Sequence, residues 1–112
     1  MTPEEYEATL KKFAAKTGYT LNPDPAMLRE IVIGLLENRK RYGYASCPCR
    51  IASGKFQDDK DIICPCAYRD PDLKEYGRCF CALYVNEDYI SGRKRLASIP
   101  ERRPIEKYLG KA

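Results

Sequence analysis

All six cysteines of this 112-residue chain fall in three modules of identical spacing, Cys47-Pro48-Cys49, Cys64-Pro65-Cys66 and Cys79-Phe80-Cys81, and there is no histidine anywhere. Six thiols without an imidazole make a sulfur-only site. Four thiolates suffice to hold one iron–sulfur cubane or one tetrahedral zinc, so either group leaves two cysteines over. The cysteines of a Cys-X-Cys pair are too close to be independent, yet a single ion or cluster does not easily take both thiolates of every pair. One cysteine can therefore ligate while its neighbour stays free for thiol chemistry. Proline in the first two modules removes a backbone N–H and fixes φ at about −65°, which stiffens the pair and blocks regular helix.

A chain of this length is expected to form one domain over residues 1–112, with enough core for a stable fold. Cysteine makes up about 5% of residues, below the roughly 8–10% of a secreted disulfide scaffold. Met1 leads straight into Glu4, Glu5 and Glu7, so no signal peptide is expected, and no apolar run approaches the roughly 18–20 residues that span a bilayer. The expected address is the reducing cytoplasm, where clustered cysteines signify metal or redox chemistry. The overall charge of +4 is unevenly placed. Residues 91–112 carry Arg93, Lys94, Arg95, Arg102, Arg103, Lys107 and Lys111 against Glu101 and Glu106. Such a basic tail attracts an acidic protein or a phosphate backbone, or is simply a solvated surface.

The periodicity predicts a mainly α-helical chain. Thr2, Pro3 and Glu5 read as N-cap, first helical residue and partner of a capping box. Tyr6, Leu10, Phe13, Ala14 and Thr17 then recur at helical spacing up to Gly18, giving a helix over 3–17. Asp24 and Pro25 open a second helix that ends at Gly43, with Leu28, Ile31, Val32, Leu35, Leu36 and Tyr42 as its buried stripe. Gly34 costs that helix about 1 kcal/mol against alanine, which points to close packing at this position. Lys55–Asp61 predicts one or two helical turns, Asp70-Pro71-Asp72 a turn and helix start, and Ser98-Ile99-Pro100-Glu101 a second capping box. Between them, Cys81–Val85 is an apolar run that periodicity assigns to neither helix nor strand.

Three chemistries compete for the cysteines. One is an iron–sulfur cluster on four of them with a redox-active dithiol besides. Zinc is the second, although structural zinc knuckles separate their paired cysteines by about two to four residues. Three disulfides are the third, disfavoured by the expected compartment and by the adequate apolar core. Spacing alone does not settle the choice.

The ordered run of Cys-Pro-Cys, Cys-Pro-Cys and Cys-X-Cys, with Cys-Pro-Cys-Arg at residues 47–50, resembles the catalytic β subunit of ferredoxin–thioredoxin reductase over residues 3–90. Against the plant pattern the gap after the first module is shorter and the next one longer, and Phe80 stands where the family has histidine, features of a divergent prokaryotic branch. The resemblance implies a small helical fold wrapped around a [4Fe–4S] cluster ligated by Cys47, Cys64, Cys66 and Cys79. It also implies a redox-active disulfide between Cys49 and Cys81, with Cys49 the attacking thiol and Cys81 the resolving one. That assignment accounts for all six cysteines. Exchange needs a thiolate, and Arg50 is the nearest residue in sequence able to favour one at Cys49. Phe80 cannot shuttle protons as the family histidine does. Water, Tyr68, Tyr76, Tyr84 or an acid would take over that role, while Phe80 packs over the cluster and keeps water out.

The function so implied is a ferredoxin-dependent thioredoxin (protein disulfide) reductase, passing single electrons from ferredoxin to a thioredoxin or glutaredoxin-like protein, with or without a second subunit. The alternative is a non-enzymatic zinc or iron–sulfur binding module whose basic tail contacts nucleic acid. It lacks the aromatic–basic interleaving of RNA-binding platforms.

Overall fold

Two capped helices frame the molecule. The computed structural model describes residues 1–94 and 98–109, so Arg95 and Lys111 of the basic stretch lie outside the described residues. Helix α1 (Pro3–Thr17) begins on the predicted capping box: Thr2 Oγ1 accepts from Glu5 N, and Thr2 N donates to Glu5 Oε1, both at 3.1 Å. Helix α2 (Pro25–Tyr42) begins on Asp24, whose Oδ1 accepts from Ala26 N at 2.9 Å and Met27 N at 3.3 Å. Gly18 and Gly43 close the two helices with φ of 84° and 87°. Both helices therefore have the predicted bounds.

The segments that follow are short, because proline, aspartate and glycine recur too often for long elements. Helix α3 (Phe56–Asp59) runs into a 3-10 turn over Lys60–Ile62, and α4 spans Arg69–Tyr76. Helix α4 starts earlier than the Asp-Pro-Asp signal indicates, which leaves Pro71 inside its first turn, where no intrahelical N–H is needed. Strand β1 (Thr20–Leu21) pairs antiparallel with β2 (Tyr84–Val85), with Leu21 opposite Tyr84. The ambiguous apolar run thus ends as strand. Asn86 caps α5 (Glu87–Ile90), and α6 (Glu106–Leu109) follows Pro104. The second capping box is not used: Ser98–Glu101 is not helical, and Glu101 instead ion-pairs with Arg50 and accepts from Arg103 N at 2.9 Å. A buried guanidinium is a stronger partner for that carboxylate than an exposed backbone N–H.

The core joins the helices to the cysteines. Leu10 of α1 and Leu28, Ile31, Val32 and Leu35 of α2 form one buried cluster with Cys47, Cys79, Cys81, Leu83 and Tyr84. Val32 and Leu35 are fully buried, each worth roughly 1.5–3 kcal/mol against exposure. Leu36 and Tyr42, at the rim of the stripe, are half-buried. Among the described residues, no helix is long and apolar enough to cross a membrane.

Gly34 is the contact between α2 and the first cysteine module. A Cβ there would stand 2.7 Å from Pro48 Cβ and 3.2 Å from Pro48 Cγ. Gly34→Ala gains about 1 kcal/mol of helix propensity but overpacks this contact at about 1–3 kcal/mol. The clash should win, lowering the Tm by several degrees, on the scale of about 4–8 °C per kcal/mol. A thermal melt at or above that of the parent would show that Pro48 yields without cost.

Candidate functional site

Each cysteine module is fixed by backbone hydrogen bonds to a neighbouring element. Modules one and two are tied together: Cys47 N donates to Ile62 O at 2.8 Å, Cys64 N to Ala45 O at 2.9 Å, and Ser46 bridges to Ile63. Asn38 of α2 anchors module one by donating to Ser46 O at 2.9 Å, and Arg69 of α4 caps module two by donating to Cys66 O at 2.7 Å. The Cys64–Pro65 peptide is cis. Module three lies on a reverse turn. Cys79 N donates to Tyr84 O at 3.0 Å and Ala82 N to Cys79 O at 2.9 Å. Ala82 takes φ of 64°, a left-handed conformation costing a non-glycine residue roughly 1–2 kcal/mol. Its carbonyl is held by Asn22 Nδ2 at 3.0 Å, so the turn is fastened to β1 as well.

These constraints bring five sulfurs to one cavity. Cys47, Cys64, Cys66, Cys79 and Cys81 line it together with Phe80, Arg69 and Tyr84. Four of the five are buried and Cys64 is half-buried, whereas Cys49 is exposed and is not among the lining residues. All six are free thiols here. The predicted ligands thus share a cavity, Cys81 joins them, and Cys49 stands apart at the surface. Among the described residues, no three cysteine, aspartate or glutamate groups are disposed to hold a single metal ion.

The sulfurs perturb one another. Cys81 Sγ lies 4.0 Å from Cys79 Sγ, a hydrogen bond that either thiol can donate. Interaction with Cys81 lowers the pKa of both Cys47 and Cys79, and Cys81 has its own raised by the same two neighbours. Tyr84 N adds a further bond to Cys79 Sγ at 3.3 Å. Burial pushes Cys64 up, and pushes Cys66 to about 11. Partial burial of the sulfur, then the neighbouring Cys47 and Cys79, raises Cys49 to about 11, opposed more by Arg78 than by Arg50.

Arg50 has a different role from the one its sequence position suggests. Its side chain is fully buried, bonded to Asp72 Oδ2 at 3.3 Å and ion-paired with Glu101. Its guanidinium lies over Phe80 at 4.5 Å and over Tyr68 at 4.9 Å from the ring centroids. One side chain thus connects all three modules: it follows Cys49, touches the residue between Cys79 and Cys81, and touches Tyr68 just beyond Cys66. Its charge is shared with two carboxylates, and it acts on Cys49 less than Arg78 does.

The basic stretch is likewise folded into the structure. Arg103 is buried, donating to Asp61 Oδ2 at 2.9 Å, Ile51 O at 2.8 Å and Asp58 O at 3.0 Å, with Asp59 at 3.6 Å. Arg102 pairs with Asp72 at 2.5 Å and Glu75 at 2.6 Å. Arg93 is exposed and Lys94 half-buried, both beside Asp88. Burial would raise the Asp59 carboxyl, but hydrogen bonds from Tyr44, Ser53 and Gly54 outweigh it and hold the group below its ordinary value. These carboxylates are invisible to local sequence reading, because their partners lie tens of residues away.

Of the tyrosines considered as proton carriers, Tyr68 donates to Asp61 at 2.6 Å and Tyr76 lies beside Arg102. Tyr84 is the one that lines the cavity, and its hydroxyl, buried, has no hydrogen-bond partner among the described residues. A largely buried, all-sulfur donor set on three modules fixed by backbone hydrogen bonds suits a thiophilic group such as an iron–sulfur cluster. An unpaired buried hydroxyl beside it has an acceptor once such a group is present.

Comparison with known proteins points to one family. The family model described as ferredoxin thioredoxin reductase catalytic beta chain matches residues 2–106, further than the cysteine modules alone extend. The chain is also 28% identical over 82 residues to the ferredoxin-thioredoxin reductase catalytic chain of Porphyra purpurea, a match covering 68% of this chain. The matched region spans 63% of that relative's length. With the modules in the family's order and the match running nearly end to end, the chain belongs to the ferredoxin–thioredoxin reductase catalytic β-chain family.

Proposed function

We propose that this chain is a ferredoxin-dependent protein-disulfide reductase of the cytoplasm. Residues 1–112 act as one catalytic-type domain, in which Cys47, Cys64, Cys66 and Cys79 hold a [4Fe–4S] cluster and Cys49 and Cys81 are the redox-active pair. Family membership supports the reaction class. The observation that carries the site reading is the contrast between the shared sulfur-lined cavity and the single exposed cysteine, Cys49.

When bound, such a cluster supplies electrons singly, which reconciles ferredoxin's one-electron deliveries with a two-electron disulfide. The exchange itself is the work of the two thiols. Cys49, at the surface, attacks one sulfur of a thioredoxin-like or glutaredoxin-like disulfide, forming a mixed disulfide and releasing the partner's other sulfur as a thiolate that takes up a proton. Cys81 then attacks Cys49 Sγ, closing the Cys49–Cys81 disulfide and releasing the partner as a dithiol. Two electrons pass from the pair to the substrate. A nucleic-acid role for the basic tail loses support from the internal use of Arg102 and Arg103.

The two thiols are therefore unequal. Mixed with a thioredoxin lacking its own resolving cysteine, Cys81→Ser should accumulate an adduct on Cys49, whereas Cys49→Ser should give none. Peptide mapping decides. An adduct on Cys81 would reverse the roles, and no adduct in either variant would remove disulfide reduction from the reading.

A further inference from the structure

Tyr84 is held more firmly than a tyrosine needs to be if it only fills the core. Pairing of β2 with Leu21 sets its backbone, and its ring packs at a tilt 5.1 Å from Tyr19 and 6.3 Å from Phe13, centroid to centroid. Its N–H donates to Cys79 Sγ at 3.3 Å while its carbonyl accepts from Cys79 N at 3.0 Å. Only 1% of the residue is exposed, and it borders the same cavity as Cys64. Within that frame the hydroxyl, buried, has no partner among the described residues.

A hydroxyl left unpaired away from water costs about 1–3 kcal/mol, and buried polar groups nearly always find a partner. Phenylalanine would provide the same packing without that cost. The cavity that Tyr84 borders is lined by five cysteines, Cys64 among them, so the acceptors it offers are sulfurs.

We propose that Tyr84 sets the potential of the sulfur-bound group in the cavity, its hydroxyl donating a hydrogen bond to sulfur there while its backbone N–H does so at Cys79. This rests on the [4Fe–4S] reading above and adds to it a residue outside the cysteine modules. A hydrogen bond to sulfur withdraws negative charge and so stabilises the more reduced form. Removing the donor makes reduction harder.

The test is an anaerobic, spectroscopically monitored redox titration of the full-length, iron-loaded chain and its Tyr84→Phe variant. The variant should retain its iron and sulfide, and its midpoint potential should fall by about 59 mV, a tenfold change in a one-electron equilibrium constant. Tyr19→Phe is the control, because it alters the same aromatic stack but its hydroxyl bonds Asp70 at 2.6 Å. Its potential should stay at the parent's value. A Tyr84→Phe potential within about twofold of the parent's equilibrium constant, or an equal fall in Tyr19→Phe, overturns the proposal while leaving the cluster reading intact. A parent chain without an iron–sulfur chromophore overturns both. If Tyr84→Phe fails to retain iron, 3-fluorotyrosine at position 84 keeps the shape and strengthens the donor. The potential must then rise, and no change or a fall rejects the idea.

Discussion

Anaerobically purified protein should be brown and carry about four irons per chain, and serine at Cys47, Cys64, Cys66 or Cys79 should remove most of that iron and much of the folding stability with it. Metal binding and folding are coupled, because the converged thiols exist only in the folded chain. Cys47, Cys66 and Cys79 are buried, so each of these serines would also place a hydroxyl in a buried pocket at about 1–3 kcal/mol. The measurement is sharpened by Cys81, which lines the same cavity yet is assigned to the redox pair. Cys49→Ser and Cys81→Ser should both retain iron. If Cys81→Ser loses it while one of the four assigned variants keeps a full complement, the ligand set must be redrawn.

The second large effect lies outside the cysteine modules. Arg103→Leu should destabilise the protein by about 3–5 kcal/mol, because the side chain is fully buried and its removal leaves Asp59 and Asp61 without their cation. For a domain of this size that corresponds to a Tm lower by roughly 10–25 °C. Two backbone carbonyls, Ile51 O and Asp58 O, would lose their donor as well. Arg103→Lys should recover only part of the loss, since an ammonium cannot reproduce a fork reaching two carboxylates and two carbonyls. Calorimetry of both variants checks this. A melt within a few degrees of the parent for the leucine variant would show that the 98–103 segment contributes little to holding residues 51–61.

The sequence was most legible where structure is local. Thr2-Pro3-Glu5 and Asp24-Pro25 mark helix starts by groups two or three residues apart, and Gly18 and Gly43 mark their ends, so both long helices have the predicted bounds. Gly34 was readable as a packing position because nothing else justifies glycine in mid-helix, although its partner, Pro48, could not be known. Ser98–Glu101 misled for the same reason that Thr2–Glu5 informed. The pattern is local, and here a long-range partner, Arg50, outcompeted the backbone for Glu101. Arg50, Arg102 and Arg103 likewise carry no local sign that their carboxylates lie 22 to 51 residues away. At the site, spacing revealed three paired-cysteine modules but settled neither their chemistry nor that Cys81 lies inside the cavity while Cys49 stays out.

The guanidinium of Arg50 against Phe80 also bears on what position 80 can hold. An imidazole at position 80 would occupy the place of a ring lying 4.5 Å from a buried cation, and its protonated form would be disfavoured by that like charge. Histidine introduced at position 80 would carry its proton only as far as Asp72 and Glu101 offset the guanidinium beside it. Positions 50, 72, 80 and 101 are one packed charge cluster in space, so a single substitution at 80 is felt by the ion pairs at the other three.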